Sequence, residues 1–232
     1  MQSKEKSKEK SKEQPKERLI FALDVPQFDE ALRLAKLIGP HVGHLKIGLE
    51  LFLSCGAESV RRLQEYCPIF LDLKLHDIPE TVTRTAAALA ALKPSLLTVH
   101  ACDGVEILQA AVQGAPGVRI VAVTVLTSVA QDEHTLAKVM DRASFAQQAG
   151  CFAVVASGRE ASLIKRNFGK SLKVITPGIR LIGDDPNDQK RVTTPAQAIK
   201  AGADYLVVGR PIRDAQDPVG VVQKILEEIE NS

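Results

Sequence analysis

The chain has 232 residues, 45% of them hydrophobic, with 30 basic and 28 acidic side chains. That length and apolar content can bury a full core in one domain. A near-neutral charge, no tryptophan and only two tyrosines supply neither a general basic field nor a base-stacking platform, so a nucleic-acid partner is not expected.

Residues 1–18 stand apart from the rest. Ser-Lys-Glu units repeat along them, and they hold seven Lys/Arg and four Glu. Their balance of +3, against +2 for the whole chain, leaves about −1 for residues 19–232. A segment of this composition buries nothing and is expected to be a disordered tail. It has no apolar core for a secretory signal, and no run in the chain approaches the roughly 20 apolar residues of a membrane span. Cys55, Cys67, Cys102 and Cys151 are far apart, follow no metal-ligand spacing and sit mostly in apolar stretches. Buried free thiols in a reducing compartment fit that pattern. The expectation is a cytoplasmic protein that makes no membrane contact.

From Leu19 on, short β-rich runs alternate with amphipathic or Ala-rich stretches. The first strand is read at 19–25 (LIFALDV) with Asp24 near its end, and a helix follows at 28–38. A strand at 44–48 carries Lys46 and leads to a helix at 57–66. The third strand, 69–75 (IFLDLKL), holds Asp72 and Lys74 and runs into His76-Asp77-Ile-Pro79 before a helix at 79–92. A strand at 96–101 contains His100 and precedes a helix at 104–113; a strand at 119–126 is followed by Thr127-Ser128 and a helix at 135–148. Next come a strand at 151–156, a helix at 159–167 and a strand at 173–177 that opens Thr176-Pro-Gly-Ile-Arg180. A polar, turn-rich segment over 180–193 has the composition of a mobile lid or of a plain solvated loop. A helix at 195–201, a strand at 204–209 ending in Gly209-Arg210 and a helix at 217–230 complete the chain. Eight β-then-α units over 19–232 predict an α/β fold, a single (β/α)8 TIM barrel. A doubly wound sheet is disfavoured, because no Gly-x-Gly-x-x-Gly follows the first strand.

A barrel of this kind places functional groups at the C-terminal ends of its strands. The unusual residues lie there: Asp24, Lys46, Asp72, Lys74, Asp77, His100, Thr127, Ser128, Arg180, Gly209 and Arg210. Alternation along the third strand sends Leu71, Leu73 and Leu75 to one face and Asp72 with Lys74 to the other. An Asp-x-Lys pair alone is compatible with a structural ion pair. The convergence of Lys46, Asp72, Lys74 and Asp77 on one barrel mouth favours catalysis. Opposite charges nearby favour the ammonium form, so a lysine set among carboxylates is a held proton donor rather than a Schiff-base nucleophile.

Gly209-Arg210-Pro211-Ile212 reads as an anion site, with a close backbone N–H and a guanidinium fork. A phosphate site after the last two strands recurs in this architecture. His100 reads as a hydrogen-bonded core histidine sooner than as a base. His41, His44, His76 and His134 show no ligand spacing, so no metal site is expected. Asp184, Asp185 and Asp188 are accounted for as turn residues.

These motifs together resemble the orotidine 5′-monophosphate decarboxylase family, in its bacterial-type form. The resemblance rests on Phe21-Ala-Leu-Asp-Val25, Leu45-Lys-Ile-Gly48, Asp72-Leu-Lys-Leu-His-Asp-Ile-Pro79, Val123-Thr-Val-Leu-Thr-Ser128, Thr176-Pro-Gly-Ile-Arg180 and Val208-Gly-Arg-Pro-Ile212. It implies cofactor-independent decarboxylation of orotidine 5′-monophosphate to uridine 5′-monophosphate, with Lys74 protonating ring carbon C6. It further implies that Asp72 faces the substrate carboxylate, that Lys46 bridges Asp72 and the ribose, and that Asp24 binds a ribose hydroxyl. Thr127 and Ser128 would serve the pyrimidine, Thr81 would join the substrate contacts, and Arg180, Gln189, Gly209 and Arg210 would hold the phosphate. The family forms homodimers, and Asp77 would complete the neighbouring chain's site. Position 80, often Asn in the family, is Glu80 here. Two rivals share parts of the pattern: a magnesium-dependent sugar-phosphate enzyme with Asp-x-Lys-x-x-Asp, and a non-catalytic phosphometabolite binder.

Overall fold

The computed structural model describes residues 14–126, 133–181 and 193–232. Eight parallel strands close into one barrel in the order of the chain. They are β1 (Leu19–Ala22), β2 (His44–Gly48), β3 (Ile69–Leu75), β4 (Leu96–His100), β5 (Arg119–Val123), β6 (Ala153–Val155), β7 (Lys173–Thr176) and β8 (Tyr205–Val208). Closure is made by β1 on β8, with Leu19 opposite Leu206 and Phe21 opposite Val208. Helices α1 (Phe28–Ile38), α2 (Leu49–Leu63), α3 (Pro79–Ala90), α4 (Val105–Gly114), α5 (Glu133–Gln148), α6 (Gly158–Phe168), α7 (Pro195–Lys200), α8 (Arg210–Arg213) and α9 (Pro218–Glu230) alternate with them. The expected (β/α)8 barrel is the fold.

Period-two alternation divides the core in two. Ile20, Phe70, Leu96, Val121, Ala153, Ile175 and Tyr205 fill the barrel interior. Their chain neighbours, such as Leu19, Phe21, Leu71 and Leu97, face the helices in a larger second cluster. The helices present apolar stripes to that layer: Ala31, Leu34, Ala35 and Ile38 of α1 recur at helical spacing and are all buried. Burial of a leucine or isoleucine at such a site stabilises by about 1.5–3 kcal/mol. Asp217 caps α9 by accepting from the Gly220 N–H at 3.0 Å, with Pro218 in the first turn.

The lower end of the barrel holds a polar layer around buried His44. Arg119 Nη2 lies 3.1 Å from His44 Nε2, and its guanidinium stacks 4.6 Å from the Phe152 ring centroid. The His44 ring meets Tyr205 edge-on at 6.4 Å. Burial first, and Arg119 second, push the His44 imidazole down to about 4.

Some boundaries differ from the sequence reading. Helix α2 starts at Leu49, directly after β2, and passes through a kink at Gly56, whose φ of 65° interrupts the apolar period. The four-residue α8 is too short to leave a periodic signal. Strands β1 and β5 end at Ala22 and Val123, so Asp24 and Val125 lie beyond the ladder. Pro15–Arg18, grouped with the tail by composition, form a 3-10 turn. Arg18 anchors it by donating to the carbonyls of Asp204 and Ala203 at 3.0 and 2.8 Å. Residues 1–13 lie outside the described residues.

Candidate active site

The C-terminal mouth of the barrel opens on a cavity of about 450 Å³. Asp24, Lys46, Asp72 and Lys74 line it together with Arg180, Gly209, Arg210 and Arg213. Phe70, Val123, Val155, Ile175 and Val207 supply apolar wall.

The four charged groups form a chain. Lys46 Nζ donates to Asp24 Oδ1 at 2.9 Å and lies 3.4 Å from Asp72 Oδ2. Lys74 Nζ donates to Asp72 Oδ1 at 2.9 Å, and Thr98 Oγ1 donates to the same oxygen at 3.2 Å. Two carboxylates and two ammonium groups cancel, which is the condition for keeping such charges at a poorly hydrated site. Burial by itself would push the Asp72 carboxyl up, yet Lys46, Lys74 and the Thr98 hydroxyl outweigh it and hold that carboxyl below its ordinary range. Burial opposes the Lys46 ammonium in the same way, and Asp72 with Asp24 overcomes it, so Lys46 is raised. The ammonium of Lys46 is thus fixed by its partners and not by solvent.

Strand β3 does not keep the alternation expected of it. Its register against β4 shifts between Leu71 and Leu75, and Lys74 has a φ of 52°. A non-glycine residue in that region stores on the order of 1–3 kcal/mol. The conformation is held by the Lys74 N–H donating to Thr98 Oγ1 at 2.8 Å. Fully buried Thr98 therefore fixes both the backbone of Lys74 and the carboxylate of Asp72. Sequence reading passed over Thr98, whose signal is a hydroxyl on the inward face of an apolar strand, two residues before His100.

The arginine side of the cavity is built by turns. Gly178, with a φ of 74°, turns the chain after β7. Arg180 N donates to the Thr193 carbonyl at 3.0 Å, and Thr193 N to the Gly178 carbonyl at 3.3 Å, which ties the two ends of the 180–193 segment. Buried Arg180 also donates to the Ile179 carbonyl at 2.8 Å. Arg213 of α8 donates to the Asp24 carbonyl at 2.6 Å and pairs with Asp214. Sequence reading missed Arg213, because the short helix that presents it has no period to detect.

Of the residues singled out from sequence, Asp24, Lys46, Asp72, Lys74, Arg180, Gly209 and Arg210 line the cavity. Asp77 and Thr81 do not line it: Asp77 is exposed beyond β3, accepting from the Ile78 N–H at 2.7 Å, and Thr81 sits in the first turn of α3. The expected four-member set is therefore split, with Asp24 taking the place of Asp77 within one chain. Glu80 is exposed and pairs with Arg84 at 3.3 Å. His100 is half-buried outside the cavity lining, its ring 5.6 Å from that of His76; burial and then His76 lower its imidazole. Thr127, Ser128, Gln189 and most of the 180–193 segment lie outside the described residues.

Comparison with known proteins decides the family. Residues 17–225 match the family model described as orotidine 5′-phosphate decarboxylase / HUMPS. A protein of Anaeromyxobacter sp. strain K named orotidine 5′-phosphate decarboxylase is 47% identical over 219 residues, covering 90% of this chain and 96% of its own. The chain belongs to the orotidine 5′-phosphate decarboxylase / HUMPS family. A second relative so named, from Thermobifida fusca, is 45% identical over 91% of this chain and 95% of its own. The crystal structure of orotidine 5′-phosphate decarboxylase from Lactobacillus acidophilus superposes with a TM-score of 0.78 at 34% identity, over 91% of this chain and 98% of that one. The charged chain and the arginine wall thus stand at the mouth of a barrel that this family shares. Among the described residues no helix is long and apolar enough to cross a membrane.

Proposed function

We propose that the protein converts orotidine 5′-monophosphate to uridine 5′-monophosphate and carbon dioxide, the last step of de novo UMP synthesis, in the cytoplasm. The observation that carries this reading is a charge-neutral Asp24–Lys46–Asp72–Lys74 chain, buried at Lys46, sharing a cavity of about 450 Å³ with Arg180, Arg210 and Arg213. That arrangement suits a substrate with a phosphate at one end and a reacting carboxylate at the other.

The substrate carboxylate on C6 faces Asp72. The C6–carboxylate bond breaks, its electron pair stays on C6, and carbon dioxide leaves neutral. Charge thereby moves away from Asp72 and towards the ammonium groups, which are already in place and need no reorganisation. Lys74 Nζ then gives its proton to C6, and the neutral amine takes a proton back from solvent. Every atom comes from substrate, lysine and water, so the route as written is cofactor-independent. Asp24 and Lys46 bind ribose, Thr127 and Ser128 the pyrimidine, and Arg180, Gln189, Gly209 and Arg210 the phosphate. Thr81 joins the substrate contacts, and Asp77 completes the neighbouring chain's site in a homodimer. Asp77 being exposed and outside its own chain's cavity supports that role, as does 65% exposure of the adjacent Ile78.

The decisive assay follows loss of orotidine 5′-monophosphate absorbance in the ultraviolet, with and without EDTA. Turnover unaffected by the chelator is expected. No turnover, or turnover abolished by EDTA, would favour a magnesium-dependent sugar-phosphate enzyme instead.

A further inference from the structure

Outside the cavity, three metal-ligating side chains meet on the barrel rim. His76 leaves the end of β3, while Cys102 and Asp103 leave the end of the adjacent β4. Cys102 Sγ lies 3.3 Å from His76 Nε2 and 3.2 Å from Asp103 Oδ2, and His76 Nε2 hydrogen-bonds Asp103 Oδ2. Among the described residues this is the one group of three or more such side chains whose ligand atoms converge. None of the three lines the active-site cavity.

We propose that His76, Cys102 and Asp103 form a site for a borderline divalent cation of the zinc class. The donor set contains one imidazole, one thiolate and one carboxylate, a combination suited to zinc or cobalt and unsuited to magnesium or calcium. With bonds of about 2.0–2.3 Å, tetrahedral geometry spaces ligand atoms roughly 3.3–3.6 Å apart. The two contacts of Cys102 are already near that spacing, and a cation would open the His76–Asp103 hydrogen bond. Water takes the fourth position.

The alternative use of these groups, a histidine-activated cysteine nucleophile, is opposed by their order. Asp103 faces the sulfur directly, and a carboxylate beside a thiolate is repulsive unless a cation lies between them. Burial first, and then the Asp103 hydrogen bond and charge, push the Cys102 thiol up, with Arg142 opposing. The titratable and charged groups facing this thiol are His76, Asp103 and Arg142, and the His100 ring lies behind His76 at 5.6 Å. Metal binding replaces the thiol proton with the cation and releases that proton, so affinity rises with pH. A bound ion ties the β3–α3 loop to the β4–α4 loop. The site adjoins Asp77, which the proposed function assigns to the partner's pocket, so the ion lies beside the subunit seam; its cobalt readout does not depend on decarboxylation, so the two readings fail separately.

Cobalt(II) titration of the full-length protein tests it. Expected are one cobalt per chain, a near-ultraviolet sulfur-to-cobalt charge-transfer band, and displacement of that band by zinc. Cys102→Ser should abolish the band while Cys55→Ser retains it, and Asp103→Asn should weaken cobalt binding at least tenfold. Zinc should raise the melting temperature of the wild type and not of Cys102→Ser. If Cys102→Ser does not fold, His76→Ala and Asp103→Asn serve instead, each expected to weaken cobalt binding at least tenfold, and unchanged affinity in both overturns the site. No charge-transfer band in the wild type, or a band that survives in Cys102→Ser, overturns the site.

Discussion

Lys74 combines three properties that follow from one another: a left-handed backbone, a hydrogen bond to Thr98 and an ion pair with Asp72. Strain of this kind persists only where the surroundings over-determine it, and here the Thr98 hydroxyl and the shifted β3–β4 register do so. Lys74→Ala should keep the fold while turnover collapses. Turnover within tenfold of wild type, a difference of about 1.4 kcal/mol in barrier, would remove Lys74 from proton transfer. His44 makes an independent prediction for stability. Its imidazole ionises at about 4 in the fold against 6.5 when unperturbed, so between those values the unfolded chain binds a proton that the folded chain does not. The contribution is therefore complete above about pH 6.5 and is lost as the pH falls towards 4, to an extent of about 3 kcal/mol. Urea unfolding of wild type and His44→Gln across this window should show a flatter acid limb in the variant. Parallel limbs would show that His44 does not govern acid sensitivity.

Close approach matters most where α3 packs on α4. A Cβ added at Gly114 would lie 2.4 Å from the Thr83 carbonyl oxygen, so only glycine lets the two helices meet as they do. Gly114→Ala should destabilise the protein by about 1–3 kcal/mol through forced separation of the helices. Thermal unfolding would read this as a lower midpoint, and an unchanged midpoint would mean that the pair yields at no cost. Since α3 starts two residues after Asp77, a displaced α3 should also reduce activity. Elements with a long regular period, such as α1 and α9, were legible in the sequence because burial repeats along one face. The part of α2 before its kink at Gly56 and the short α8 were not, since a glycine break or a single turn leaves no period to read.

Composite sites are a property of the whole molecule. If Asp77 serves the neighbouring chain, a mixture of inactive Lys74→Ala and inactive Asp77→Ala proteins should regain activity after subunit exchange. Each heterodimer then carries one doubly altered site and one wild-type site. Absence of recovery, with exchange verified by mass, would place both residues in the site of a single chain.

The linear pattern by itself determined the barrel, the strand order and the end of the barrel that carries chemistry. Alternation and strand-end position are local properties, and the eight strands each display them. Asp24, Lys46, Asp72 and Lys74 could be picked out for the same reason: a charge on an inward strand face is conspicuous in sequence. Only the tertiary structure decided which charges touch. It joined Asp24 to Lys46 at 2.9 Å and left Asp77 outside the cavity, because side-chain contact depends on the register between neighbouring strands and on the turn at Lys74. It also brought His76 to Cys102 and Asp103 across 26 and 27 positions of sequence. No spacing rule along one segment reports such a meeting, since the ligands leave two adjacent strands whose ends are brought together only when the barrel closes.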